Sequence, residues 1–65
     1  MRKLGMRVRF NLGERVRIEL GDHTGMTGEV ATAPEGTTYN WKKEVFVQLD
    51  DGDIIRKYKN EVCKL

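Results

Sequence analysis

The chain has 65 residues, of which 34% are charged and 38% hydrophobic, and its formal net charge is +2. These values indicate one small soluble domain and exclude a large core or a disordered, highly charged chain. The lone cysteine, Cys63, excludes an internal disulfide, and no apolar run approaches the roughly 20 residues of a membrane helix.

Basic residues concentrate at the start of the chain, which has no apolar signal segment. We therefore expect a cytoplasmic protein with no membrane contact. Residues 1–5 predict a flexible basic N-terminus, and residues 6–65 predict a single domain. Residues 6–10 alternate apolar and basic side chains, which indicates a strand with Arg7 and Arg9 on one face.

Residues 14–20 alternate in the same way and predict a half-buried strand. The side chains expected to face the core are Val16, Ile18 and Leu20. Those expected to face solvent are Arg15, Arg17 and Glu19.

Four further strands are predicted at residues 27–33, 44–49, 54–58 and 60–64. Asp-Asp-Gly-Asp at 50–53 predicts a tight hairpin turn, because Gly52 favours a left-handed backbone. A single 3-10 turn is expected at residues 58–60. Five or six short antiparallel strands at this spacing predict an all-β fold, a small and strongly bent barrel.

The stretch from residue 13 to residue 30 carries glycine, acidic and β-branched residues at set offsets: Gly13, Glu14, Val16, Ile18, Gly21, Gly25, Gly28 and Val30. This spacing resembles the KOW motif of SH3-like barrels in ribosomal large-subunit proteins and bacterial transcription elongation factors. The resemblance implies an SH3-like barrel with structural turn glycines, and RNA or the transcription–translation machinery as partner. Ribosomal members place lysines in the loop before the second strand. Residues 21–26 contain none here, which weakens an RNA contact at that loop.

Other SH3-like groups look similar over the same span. The peripheral stromal subunit of photosystem I and the variable chain of ferredoxin–thioredoxin reductase share its frame, and both are non-catalytic accessory subunits. Plasmid-encoded type II dihydrofolate reductases share the Gly-Glu-Arg-Val-Arg of residues 13–17. Their activity depends on a Val-Gln-Ile-Tyr strand, where this chain has Ile-Ile-Arg-Lys-Tyr at 54–58. Reductase activity is therefore only a remote alternative.

Arginines on the first strands form one candidate binding surface: Arg7, Arg9, Arg15 and Arg17. If residues 6–10 pair with residues 14–20, four guanidiniums share a face that suits phosphates or an acidic protein. Alternatively, the cross-strand acids Glu19, Glu29 and Glu44 pair with them and leave an ordinary solvated face. The sequence leaves both readings open.

A second candidate surface combines aromatic and basic side chains in one loop: Tyr39, Trp41, Lys42 and Lys43. Exposed aromatics beside lysines suit base stacking with phosphate contacts, and they equally suit a protein hot spot. Alternatively, Trp41 folds back into the small core. His23, in the loop of residues 21–26, is a further candidate contact. The alternative for His23 is an exposed turn.

No set of residues predicts catalysis. There is no Ser/His/Asp order, and Cys63 is expected to be an inert core residue. Asp50, Asp51 and Asp53 lack the oxygen spacing of a calcium loop and predict a turn, so no metal or cofactor is expected. The sequence predicts a non-catalytic binding module that contacts RNA, other nucleic acid or the transcription–translation machinery through the basic strand face and the aromatic–lysine loop. A protein adaptor or accessory subunit is the alternative, and exposed strand edges are compatible with a homo-oligomer.

Overall fold

The structure, a computed structural model, describes residues 9–65. Alternating apolar residues form five strands in this part of the chain, namely β1 (Arg15–Ile18), β2 (Thr27–Ala31), β3 (Glu44–Leu49), β4 (Ile54–Tyr58) and β5 (Val62–Lys64). A 3-10 helix, Lys59–Glu61, separates β4 from β5. The all-β class and the five antiparallel strands are confirmed. Within residues 9–65, no helix is long and apolar enough to cross a membrane.

The strands form one antiparallel sheet in the order β4-β3-β2-β1-β5. Strands β1 to β4 pair consecutively, and β5 returns to pair with β1. Strands β4 and β5 form opposite edges of the sheet, yet only the three residues of the 3-10 helix separate them in the chain, so the sheet has to bend. No backbone pairing joins β4 to β5 in the described residues, and closure into a barrel stays a prediction.

Strands β3 and β4 have their predicted bounds, whereas β1 is shorter than predicted. Leu20 is 58% exposed, so its predicted place in the core is wrong. The reason is that the backbone N–H groups of Glu19 and Leu20 both donate to the carbonyl of Glu61, at 2.8 and 3.4 Å, and not to a neighbouring strand. Strand β2 ends at residue 31, and the 3-10 turn lies one residue later than predicted.

Part of the predicted N-terminal structure lies outside the described residues. This applies to the flexible segment 1–5, to residues 6–8 of the predicted strand and to Arg7. Arg9 and Phe10 are described and belong to no strand. Phe10 packs against the core, with the ammonium of Lys64 5.5 Å from its ring centroid.

The core lies on the inner face of the bent sheet and consists almost entirely of β-branched side chains. Four strands, β1, β2, β3 and β5, each contribute at least one buried apolar side chain. Strand β4 contributes Ile55, which is partly buried. The buried cluster comprises Val16, Ile18, Val30, Val45, Val47, Leu49 and Val62. The alternation read from the sequence therefore assigns the inner face correctly, Leu20 excepted.

A second, smaller apolar contact lies on the outer face of β3. Phe46 follows Val45 in the strand and therefore points to the opposite face, yet it is only 7% exposed. The ring of Tyr39 meets it edge-on, with centroids 4.9 Å apart, and the guanidinium of Arg56 lies 6.0 Å from its centroid. Arg56 also donates to the carbonyl of Thr38 at 3.1 Å. The segment before β3 is thereby fastened onto the sheet.

The predicted turn glycines have two different structural reasons. Gly13, Gly21, Gly25 and Gly52 adopt positive φ angles between 81° and 103°, where residues with a side chain are strained. Gly28 instead lies where β2 passes very close to β3. A Cβ atom there would stand 2.3 Å from the carbonyl oxygen of Gln48 and 2.8 Å from the Cα of Leu49. Because both contacts are backbone atoms, a side chain at residue 28 has to push the two strands apart.

Lys57 is a charged residue on the inner face of the edge strand β4. Its side chain is 8% exposed, and its ammonium donates to the carbonyl of Asp22 at 3.1 Å and lies 3.6 Å from a carboxylate oxygen of Glu61. A Cβ at Gly21 would approach this ammonium to 2.8 Å. Lys57 thus satisfies its charge by holding the β1–β2 loop against the 3-10 helix, since an unpaired buried charge is costly.

The close approach at Gly28 predicts a stability loss. We expect Gly28→Ala to lower the free energy of unfolding by about 1–3 kcal/mol, because overpacking forces a backbone shift. Urea unfolding followed by circular dichroism measures it. Thr32→Ala, at an exposed position just after β2, is the control and should change stability by less than about 0.5 kcal/mol. Equal effects of the two substitutions would contradict the packing argument.

Candidate functional site

The loop that carries Trp41 is a well-ordered turn built around Asn40. The side-chain oxygen of Asn40 accepts a hydrogen bond from the N–H of Lys42 at 3.0 Å. Its backbone carbonyl accepts from the N–H groups of Lys43 and Glu44, at 2.9 and 2.8 Å. Its own N–H donates to the carboxylate of Glu44 at 2.9 Å. The turn therefore presents its tip in a fixed conformation, which lowers the entropy cost of binding.

Trp41 stands at the tip of this turn and is 66% exposed. The interpretation of Trp41 as a core residue is therefore wrong, because valines, isoleucine and leucine fill the inner face without it. The ammonium of Lys42 lies 5.7 Å from the indole centroid, within cation–π range. Lys42 and Lys43 are both exposed. Tyr39, the other aromatic residue of the predicted surface, packs edge-on against Phe46 and anchors the loop.

Sequence reasoning missed Tyr58 and Lys59, which the sheet register brings to the same place. Tyr58 lies directly opposite Glu44 on β3 and is 54% exposed. The N–H of Lys59 donates to the carbonyl of Lys43 at 2.8 Å. We call the resulting set the aromatic–basic surface: Trp41, Lys42, Lys43, Tyr58 and Lys59. The position of Tyr58 could have been predicted from the sequence, because a turn at 50–53 that pairs residue 49 with residue 53 also places residue 58 opposite residue 44.

Arg15 and Arg17, the two arginines of β1, are exposed, and both are bound to carboxylates of the chain. Arg15 contacts both carboxylate oxygens of Asp50, at 2.8 and 3.1 Å, and lies 4.0 Å from Glu29. Arg17 donates to Glu19 at 2.7 Å. Glu29 lies near Arg15 across the strand pair, as the alternative interpretation predicted, and Glu19 pairs with Arg17 two residues away in the chain. The contact between Arg15 and Asp50 was not predicted. A phosphate at these arginines would have to displace an internal carboxylate.

The remaining arginines of that predicted surface do not complete it. Arg7 lies outside the described residues, and Arg9 is exposed but in no strand. Glu44, expected to pair with an arginine, instead accepts the N–H of Asn40. A four-arginine platform therefore stays a prediction.

The Arg15–Asp50 pair perturbs both partners. The guanidinium of Arg15, followed by the hydroxyl of Thr27, lowers the pKa of Asp50 to about 2 through hydrogen bonds. In return, Asp50 raises the pKa of Arg15, and Glu19 raises the pKa of Arg17. Asp50 therefore stays ionised wherever the protein is folded under ordinary conditions, and the pair joins β1 to the β3–β4 turn.

The β3–β4 turn has the predicted hairpin geometry. The N–H of Gly52 donates to the carbonyl of Leu49 at 2.8 Å, and the N–H of Asp53 donates to the side chain of Asp51 at 3.0 Å. With Asp50 held by Arg15, the three aspartates do not converge. Among residues 9–65, no group of three His, Cys, Asp or Glu side chains is placed to hold a metal ion.

His23 and Cys63 are both exposed and do not belong to the aromatic–basic surface. His23 adopts a φ of 73° in the β1–β2 loop, and its carbonyl accepts the N–H of Met26 at 3.0 Å. Cys63 lies on the edge strand β5 opposite Arg17, so the expectation that it is a core residue is wrong. In β5 only Val62 is buried, and both Cys63 and Lys64 are exposed.

Comparison with models of known protein families finds no family that matches the chain, and comparison with curated proteins finds no matching protein.

The depressed pKa of Asp50 predicts a pH dependence of stability. The carboxylate of unfolded Asp50 is protonated near its ordinary pKa of 3.8, whereas the folded form stays ionised down to about 2. The stabilisation is therefore fully present above about pH 4 and is lost as the pH falls toward about 2. We expect Asp50→Asn to flatten the fall of unfolding free energy across this range, measured by urea unfolding at several pH values.

Asp53→Asn is the matched control in the same turn and should keep the wild-type slope. Some slope will persist in Asp50→Asn, because the N–H of Asn11, foremost, and Lys64 also lower the pKa of Glu14. Identical slopes in Asp50→Asn and the wild type would show that the Arg15–Asp50 pair does not form in solution.

Proposed function

We propose that the chain is a non-catalytic, SH3-like barrel domain that binds RNA through the aromatic–basic surface. The fold part of the proposal is supported by the five-stranded, bent antiparallel sheet and by the glycine frame of residues 13–28, which resembles the KOW motif. Because barrels of this type serve many ends, the fold alone does not decide the function.

The observation that carries the proposal is the exposed indole of Trp41 beside free lysines. An indole that is 66% exposed offers a large apolar area, and burying it against a ligand is favourable. Every base has a π-face, and stacking on an aromatic side chain contributes about 1–3 kcal/mol per base. Lys42 and Lys43 supply the cations that neutralise phosphates next to a stacked base.

The charge distribution also favours this surface over the strand arginines. Arg15 and Arg17 are already neutralised by Asp50 and Glu19. Among the described residues, neither Lys42 nor Lys43 forms a salt bridge. Counterion release on binding comes from cations that are free to meet phosphates, so the lysines contribute more than the arginines.

The proposal predicts a steep salt dependence that the lysines control. We expect Trp41→Ala to weaken RNA binding about 5- to 150-fold, the equivalent of one stacked base. Lys42→Ala with Lys43→Ala should reduce the slope of log affinity against log salt by about 1–2 units. Fluorescence anisotropy of a labelled oligouridine, titrated with protein at several salt concentrations, measures both.

Two matched controls make this experiment decisive. Leu12→Ala removes another exposed apolar side chain, 68% exposed and located in the turn before β1, and should leave binding unchanged. Arg15→Ala with Arg17→Ala should alter the salt slope less than the lysine pair does. Unchanged anisotropy with wild-type protein at low salt would rule out RNA binding, and a protein partner that Trp41→Ala releases would support an adaptor instead.

A further inference from the structure

We infer that the RNA recognised at the aromatic–basic surface is single-stranded, with one unpaired base stacked on Trp41 and a second stacked on Tyr58. This inference rests on the proposed function and adds to it the class of RNA and a second stacking residue. It depends on how β3, β4 and the Asn40 turn meet.

The two segments that carry the aromatic residues both contact Glu44. Tyr58 is the cross-strand partner of Glu44, and the N–H of Asn40, the residue before Trp41, donates to the carboxylate of Glu44 at 2.9 Å. The Lys59–Lys43 hydrogen bond lies one residue further along, so residues 44 and 58 form a non-hydrogen-bonded pair. In such pairs the side chains come closest, with Cα atoms about 4.5 Å apart. Two exposed aromatics therefore flank one short segment of backbone.

The rings are open to a ligand. The ammonium of Lys42 lies over the indole, which leaves the rest of the exposed Trp41 ring for a base. Tyr58 is 54% exposed on the outer face of an edge strand, where no further strand covers it in the described part of the chain. Both rings therefore have exposed area on which a base can stack.

The charges around the rings fit an unpaired strand. Glu44 lies opposite Tyr58 and accepts the N–H of Asn40, and its carboxylate repels a phosphate at that point. Lys42, Lys43 and Lys59 lie beside it and attract phosphates to the margin of the surface. A strand that turns its bases toward the rings and its phosphates toward the lysines satisfies both conditions.

A duplex does not fit the same arrangement. Its bases are paired and stacked inside the helix, and opening a step so that an aromatic side chain can reach it costs a few kcal/mol. Within residues 9–65 the only helix is the three-residue 3-10 helix, which is too short to read a groove. Recognition through stacking on aromatic side chains is typical of unpaired RNA.

The test compares an oligouridine single strand with an RNA duplex containing the same number of nucleotides, at one low salt concentration, by fluorescence anisotropy. We expect the single strand to bind at least about tenfold more tightly, since the duplex loses the stacking contribution. Quenching of Trp41, the sole tryptophan, should accompany single-strand binding.

Variants of Tyr58 test the second platform. Tyr58→Ala should weaken single-strand binding about tenfold, whereas Tyr58→Phe, which keeps the ring, should bind like the wild type. Ile54→Ala is the matched control, because Ile54 is also exposed, at 46%, on the same face of β4. Circular dichroism of each variant establishes that the fold is retained.

The outcomes separate this inference from the proposed function. Equal binding of duplex and single strand, with Trp41→Ala still weakening both, would overturn the inference while RNA binding at the surface stands. Full affinity of Tyr58→Ala for the single strand would overturn the two-base assignment. Absence of binding to either RNA would overturn the proposed function and this inference together.

Discussion

Glu61 links the end of β1 to the end of β4 through its backbone carbonyl and its carboxylate. Its carbonyl accepts the N–H groups of Glu19 and Leu20 where β1 ends. Its carboxylate accepts the N–H of Tyr58 at 3.0 Å and lies near the ammonium of Lys57 where β4 ends. Because Glu61 also leads directly into β5, it fixes the meeting point of three strands. The position of Tyr58 on the outer face of β4 depends on that junction.

The position of Tyr58 illustrates this dependence. An edge strand normally exposes a row of unpaired backbone groups that other chains can pair with. The carboxylate of Glu61 occupies the N–H of Tyr58 and so shortens the free edge of β4. The side chain of Tyr58 remains exposed while its backbone is engaged. The same contact therefore disfavours pairing of β4 with a strand of another chain, and it fixes the backbone from which the aromatic ring projects.

The surface charges fall into two groups with different availability. Arg15 and Arg17 are committed to internal carboxylates, and they contribute little to a field felt by a ligand. Lys42 and Lys43 follow a turn that Asn40 organises through bonds to backbone N–H groups. Among the described residues, the ammonium groups of these lysines form no salt bridge. A small net charge can thus coexist with a local positive surface.

Sequence periodicity was sufficient for the strands and the inner face, since alternation reflects burial directly in β2 and at Val16 and Ile18. It failed at Leu20 because the partner that ends β1, the carbonyl of Glu61, is about 40 residues away. The Arg15–Asp50 pair and the exposure of Trp41 are likewise tertiary facts. The burial of Phe46 on the outer face depends on Tyr39 folding back over it, which no local pattern indicates.

The strand order also has a consequence for how the chain reaches its fold. The three hairpins that connect β1 to β4 pair residues that are close in sequence, whereas the pairing of Ile18 with Val62 joins positions more than 40 residues apart. Closing that long loop costs chain entropy that only the contacts formed at the end repay. Docking of β5 is therefore expected as the last and rate-limiting step of folding, and β5 as the first strand to detach when the protein opens locally.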